Sequence, residues 1–175
     1  GAVALPETAR DLGRLHLEQI EALDARTRDL DRRVRAAAGG SETARRLRTM
    51  PGVGPVTGVA VETFAPAMAS FRRGRDFAAW LGLTPLQRST GGKQRLGRTS
   101  KMGRRDIRRL LTAGAMSVVT RRERGGGRPG SWLARSLARK PRRLVAIALA
   151  NKMARMIWAM MTRGEDDRDP AGAVC

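Results

Sequence analysis

Apolar positions change their spacing several times along the chain, and each change marks an element. Ile20, Leu23, Thr27, Leu30 and Val34 recur in alternating steps of three and four, the seam of a supercoiled helix. Leu12 and Leu15 extend the seam with a slip in phase. Glu21, Asp24, Arg26, Arg28, Asp29 and Arg32 mix signs around it. The pattern predicts a helix over about Pro6–Ala38, with Pro6 in the first turn and Gly39-Gly40-Ser41 ending it. Such a helix either projects and pairs with another helix or packs on its own domain. His16 reads as one more polar residue along it.

Ser41 then suits the cap of a short helix reaching Met50. After Pro51-Gly52-Val53-Gly54-Pro55, a second helix is predicted over about Val56–Phe64. Two short helices around a glycine turn form a helix-hairpin-helix pattern. Gly52 and Gly54 would let backbone approach a phosphate, and the second helix would aim its free N–H groups at it; a tight turn used only for packing would read the same. A short helix follows over Asp76–Leu81, with Phe77, Trp80 and Leu81 inward. Residues 88 to about 101 have no clear period and read as a loop or one small β-hairpin. From about Gly103 a helix resumes, with Ile107, Leu110, Leu111, Gly114 and Val118 on one face and Arg104, Arg105, Arg108 and Arg109 on the other. Arg121–Ser131 reads as a flexible linker. A last helix covers about Arg142–Thr162, its stripe of Leu149, Met153, Met156 and Met160 expected in the core or a subunit contact. The fold class is all-α: a helical domain at 41–163 preceded by a coiled-coil helix at 1–40 and followed by a disordered acidic tail at 164–175.

Charge sharpens this picture. The chain of 175 residues carries a net +19, with 31 arginines against four lysines. Residues 1–50 hold ten basic and eight acidic side chains, residues 51–163 hold 24 and four, and the tail holds one and four. The middle block therefore faces a polyanion, for which DNA or RNA is the natural candidate. No uninterrupted apolar run reaches the roughly 18 residues of a membrane span, so no membrane partner is expected, and a cytoplasmic, nucleoid-associated protein fits. There is no tyrosine, which excludes tyrosine-based strand transfer on this chain. The only histidine is His16 and the only cysteine is Cys175, so Ser-His-Asp and thiolate-metal chemistry lack their parts.

The densest basic stretch, "LQRSTGGKQRLGRTSKMGRRDIRR", runs from Leu86 to Arg109 with one acid, Asp106. Ser89 and Thr90 stand directly before Gly91-Gly92. On the residues alone two readings stay open. In one, Arg88, Thr90, Gly91, Gly92, Lys93, Arg95, Arg98, Ser100 and Lys101 only clamp nucleic-acid backbone. In the other, Ser89 is a nucleophile, activated by the surrounding cations in place of a histidine, with Thr90 and Ser100 as rivals. Ser100 suits either a phosphate contact or the cap of the next helix. Glu62, Asp76, Asp106 and Glu123 are too few and too scattered for a metal site. Asp106 reads as a helix-dipole partner, and Glu62 and Asp76 as local ion pairs.

Three segments together, "LRTMPGVGPVTGVAVETF", "FAAWLGLTPLQRSTGGKQRLGRTSKMGRRDIRRLL" and "NKMARMIWAMM", resemble the serine-containing C-terminal domain of bacterial transposases of the insertion sequence 110 (116/110/902) family, over about Thr43–Thr162. The resemblance implies a serine that cuts and rejoins DNA, here Ser89, through a covalent phosphoserine. It implies a partner RuvC-like domain with four acidic residues holding Mg2+, a structured guide RNA in some members, and work as a homo-oligomer. No acidic quartet of that kind precedes Gly1, so the chain by itself is expected to hold no cofactor and to be a truncated, inactive piece. The alternative is a non-catalytic module that binds DNA or RNA backbone.

Overall fold

The computed structural model describes residues 6–87, 96–125 and 130–167, and the chain is all-α apart from one small hairpin. Helix α1 spans Glu7–Gly40. Pro6 lies just outside it as N-cap, its carbonyl accepting from the N–H groups of Ala9 and Arg10 at 3.0 and 3.1 Å. Both glycines stay helical, and the turn ends only when the Ser41 N–H closes onto the Ala37 carbonyl at 3.1 Å. The helix is roughly 50 Å long at 1.5 Å per residue, and of its residues only Ala38 is buried. Its seam stands open: Ile20, Leu23 and Leu30 are 55, 60 and 57 % exposed.

Ser41 also starts α2, Glu42–Leu47. Its Oγ accepts from the Ala44 N–H at 3.0 Å and donates to Glu62 Oε1 at 2.6 Å. Glu62, expected in an ion pair, is thus engaged by a hydroxyl. It lies on α3, Pro55–Phe64, so one serine caps α2 and ties it to α3. Helix α2 stops at Leu47, short of Met50: the Thr49 and Met50 N–H groups close tighter turns onto the Arg46 and Leu47 carbonyls at 3.1 and 3.2 Å. A single 3-10 turn, Met68–Ser70, leads to α4, Gly74–Trp80. Phe71, Phe77 and Trp80 pack there with ring centroids 5.3 to 5.9 Å apart.

Strands β1, Pro85–Gln87, and β2, Leu96–Thr99, pair antiparallel. Pro85 faces Thr99 and Gln87 faces Leu96, so β2 carries one extra residue, a bulge. Helix α5 spans Arg105–Glu123, α6 Trp132–Leu137 and α7 Arg142–Arg163. The expected linker at Arg121–Ser131 begins later: Arg121–Glu123 are still helical, and Ser131 caps α6 by accepting from the Ala134 N–H at 3.2 Å.

Helix α7 is the axis of the core. Val145, Leu149, Met153, Ile157 and Met160 are buried along it, facing Ile107, Leu111 and Val119 of α5, Phe77 of α4 and Leu133 of α6. By length and composition α7 would suffice to cross a membrane, contrary to the sequence-based expectation. Scattered charges conceal its apolar length from a search for uninterrupted runs. In this fold Val145, Leu149, Met153, Ile157 and Met160 of that surface pack into the core, while Leu144 stays exposed. Gly164 closes α7 in the left-handed region, φ 68°. The tail expected to be disordered begins as ordered chain: the Asp167 N–H donates to Thr49 Oγ1 at 3.0 Å, and Arg46 Nε lies 3.6 Å from Asp166.

Candidate nucleic-acid interface

The base of the β1–β2 hairpin is clamped by backbone. The Ser100 N–H donates to the Thr84 carbonyl at 2.9 Å and the Lys101 N–H to the Gly82 carbonyl at 3.2 Å. The Arg104 N–H reaches the Trp80 carbonyl at 3.4 Å. The last carbonyl of α4, that of Trp80, is thereby satisfied by the chain entering α5. Two glycines permit the approach. A Cβ on Gly103, at φ 111°, would stand 1.9 Å from the Trp80 carbonyl oxygen, and one on Gly82, at φ 70°, 2.2 Å from that of Met102. Lys101 adopts φ 53° without being glycine, a local strain that turns the chain between β2 and α5.

Cations border this base. Lys101 and Arg105 are exposed, and Met102 is 73 % exposed between them. Arg104 is bidentate on Asp106, at 3.2 and 2.7 Å, and its guanidinium lies 5.6 Å from the Phe64 ring centroid. The Arg104 hydrogen bond, with the Ile107 backbone N–H behind it, holds the Asp106 carboxyl below its ordinary range. Arg108, expected on the nucleic-acid face, is half-buried and donates from Nη1 to the Leu81 carbonyl at 3.0 Å. It pins α5 to the end of α4. Ser100 does not cap α5; that place belongs to Arg104. Beneath the hairpin lies an apolar cavity of about 520 Å³ bordered by Leu83, Pro85, Thr99, Lys101, Leu144 and Ile147.

Arg88, Ser89, Thr90, Gly91, Gly92, Lys93 and Arg95 lie outside the described residues, as does the Arg98 side chain. Residues 88–95 join the paired ends of β1 and β2, so the candidate loop is attached at the cationic hairpin. Gly52 and Gly54 are elsewhere. Arg104 rests on Phe64, at the far end of α3, whereas Gly52 meets α5 at Gly114. The two places are separated by the length of α3, roughly 15 Å. At Gly52, φ is 88° and a Cβ would stand 2.8 Å from the Gly114 carbonyl oxygen. Its conformation serves helix packing. Gly54 has open space around it.

The remaining carboxylates of the basic block are spoken for. Asp76 accepts from Arg73 at 3.3 Å, as the sequence led us to expect, and Glu123 lies 3.5 Å from Arg142. With Glu62 on Ser41 and Asp106 on Arg104, these four do not fit a Mg2+ site. A second basic surface, around Trp132 and Arg155, escaped the sequence reading. Its one signal was the pair Lys152 and Arg155 interrupting the apolar stripe of the last helix.

The sequence model described as "Transposase IS116/IS110/IS902 family" matches residues 44–128, from α2 through α5 and including the whole hairpin. The chain is 41 % identical over 170 residues to a putative transposase y4pF/y4sB of Sinorhizobium fredii, covering 97 % of this chain and 44 % of that protein. It is 42 % identical over 159 residues to a probable family 20 transposase of Pseudomonas aeruginosa, covering 91 % and 47 %. The transposase for insertion sequence element IS1328 of Yersinia enterocolitica is 38 % identical over 165 residues, again 91 % and 47 %. The chain belongs to the IS116/IS110/IS902 transposase family. It spans about half the length of these family relatives. The family match ends before α6, but the alignments with the relatives cover nearly the whole chain, so α1 and α7 belong to the shared sequence too.

Proposed function

We propose that this chain is the DNA-binding serine domain of an insertion-sequence transposase, in which Ser89 cuts and rejoins DNA. It would act with a RuvC-like, Mg2+-binding domain outside these 175 residues. The observation that carries the reading is the hairpin: the Ser89 segment links Gln87 to Leu96 at its outer end, and Lys101, Arg104 and Arg105 follow β2 at its base, all inside the stretch matched to the family. Phosphate contacts of this kind fix backbone position without reading bases.

In the proposed step the Ser89 oxygen attacks a phosphodiester phosphorus. A bond from Oγ to phosphorus forms and the bond from phosphorus to the 3′ oxygen breaks. The serine proton passes to solvent, and the departing 3′ oxygen takes one up. The phosphoserine keeps the energy of the cleaved ester, so a 3′-hydroxyl from another strand reverses the step and joins without ATP. Arg88, Lys93, Arg95, Arg98 and Lys101 would offset the charge that develops on phosphorus. The test is to trap the adduct of the full-length transposase on its element's DNA and map it by mass spectrometry. A nucleotide mass on Ser89 is expected. The same mass on Thr90 or Ser100, or no adduct under turnover, overturns the assignment.

The reading extends to partners. A guide RNA would draw on the same basic block. The exposed seam of α1 supports a homo-oligomer, since Ile20, Leu23 and Leu30 on one helix are the apolar surface a second copy would cover. The double substitution Ile20→Glu and Leu23→Glu is expected to leave the thermal midpoint of the helical domain unchanged and lower the mass found by sedimentation equilibrium to that of one chain. A mass unaffected by it would show that assembly runs through another surface.

A further inference from the structure

The groove between α4, α6 and α7 lies away from the hairpin, and its chemistry is unlike that of an ordinary solvated face. It encloses about 580 Å³ and is bordered by Arg73, Arg75, Trp132, Lys152, Arg155 and Trp158. No carboxylate is among the described residues that line it. The cations are held together by the fold. A Cβ on Gly74 would stand 2.9 Å from the Arg155 carbonyl oxygen, so the start of α4 lies directly on α7 with Arg73 and Arg75 beside Arg155. Arg73 is turned to Asp76, at 3.3 Å. Arg75 and Arg155 are exposed and make no ion pair among the described residues. Lys152 and Arg155 are three residues apart on one face of α7.

The aromatic side is equally built. Trp158 is fixed as a wall, its Nε1 donating to the Met68 carbonyl at 3.3 Å. Trp132 is partly buried, packed against the core on one side, with the Lys152 ammonium 5.3 Å from its ring centroid. Exposed guanidinium groups beside a partly exposed indole are what binds an unpaired nucleotide, where a base stacks and a phosphate is neutralised. A duplex hides its base faces and needs only the cations. The volume is within the range of a small-molecule site, roughly 300–1,000 Å³. The groove also follows the hairpin cavity along α7: from Ile147 and Ala148 to Arg155 and Met156 is eight residues, about 12 Å. A strand held at the hairpin would reach it within a few nucleotides.

We propose that this groove takes an unpaired nucleotide of single-stranded nucleic acid, with its base on Trp132 and its phosphate on Arg75 and Arg155. The proposal rests on the nucleic-acid-binding reading above and adds a second site to it. The test uses the 175-residue chain with three fluorescein-labelled probes: a 20-nucleotide oligo(dT), a 20-nucleotide oligo(U) and a 20-base-pair duplex. Trp132→Leu is expected to weaken single-strand binding on the order of tenfold, in line with the loss of one stacked base, and to leave duplex binding within about twofold. The double variant Arg75→Ala, Arg155→Ala, whose side chains are exposed and outside the core, is expected to weaken the single strand similarly. It should also flatten its salt dependence by about two phosphate contacts. Loss confined to oligo(dT) or to oligo(U) assigns the strand as DNA or RNA, and loss of both assigns either. Equal loss on duplex and single strand, or no loss on any probe, overturns the groove while leaving the nucleic-acid reading intact. If the parent chain binds none of the three probes, that broader reading fails as well.

Discussion

Alanine at Ser89 is expected to abolish strand exchange by the full-length transposase while leaving its DNA affinity within about twofold of the parent. The asymmetry follows from where each function would reside. Affinity for DNA would come from a block of 24 basic side chains over residues 51–163, and losing one uncharged hydroxyl would hardly alter it. Chemistry through a covalent intermediate has no such reserve. Without the oxygen that would take over the phosphorus, the cations have no step left to assist, and a fall of at least about 10³-fold is expected, in line with loss of a nucleophile elsewhere. Recombination counted per cell and adduct formation in vitro should vanish together. Thr90→Ala removes a neighbouring hydroxyl and is expected to leave substantial activity. If the Ser89→Ala enzyme recombines at near-parental rate, the loop is a backbone clamp and the cutting group lies elsewhere.

What the sequence disclosed and what it concealed divide by distance along the chain. Local patterns were legible. The seam from Ile20 to Val34 announced a long amphipathic helix, Ser41 a cap, and Ile107, Leu111 and Val118 a buried face; each depends on neighbours a few residues away. Long-range partners were not. Arg108 has the same local context as Arg105, yet only the fold brings the Leu81 carbonyl within 3.0 Å of it. Glu62 finds a hydroxyl 21 residues back. The tail's acids looked like solvent-loving residues because Thr49, 118 residues before Asp167, is invisible to any local rule. At the candidate site the residue types were readable from charge and glycine spacing. The clamp that holds the hairpin depends on the carbonyls of Trp80 and Gly82, and backbone carbonyls leave no mark on a sequence.

Gly52 shows the same division, and its partner gives a second test. The turn was legible; that it presses against Gly114 was not. A Cβ on Gly114 would stand 1.9 Å from the Gly52 carbonyl oxygen and 2.9 Å from its carbon. Two effects oppose one another in Gly114→Ala. Alanine in mid-helix gains about 1 kcal/mol of helix propensity over glycine. Against it, the overlap is with backbone, which cannot rotate aside, and the turn that would have to move carries Met50 and Val53, both buried. Shifting it opens the core between α3 and α5, a disturbance that typically costs about 1–3 kcal/mol. The overlap wins, and a net loss of about 2 kcal/mol is expected. For a chain of this size that lowers the midpoint of thermal unfolding, followed by circular dichroism, by roughly 4–8 °C. Gly52→Ala should act in the same direction, since alanine at φ 88° is strained as well as crowded. If Gly52 instead served a phosphate, its alanine variant would keep the parental midpoint and bind DNA more weakly. Packing predicts the reverse: a lower midpoint, and folded protein whose DNA affinity is unaltered. A Gly114→Ala variant at or above parental stability would mean that the turn yields at little cost, and the close approach of these two glycines would no longer explain why either position lacks a side chain.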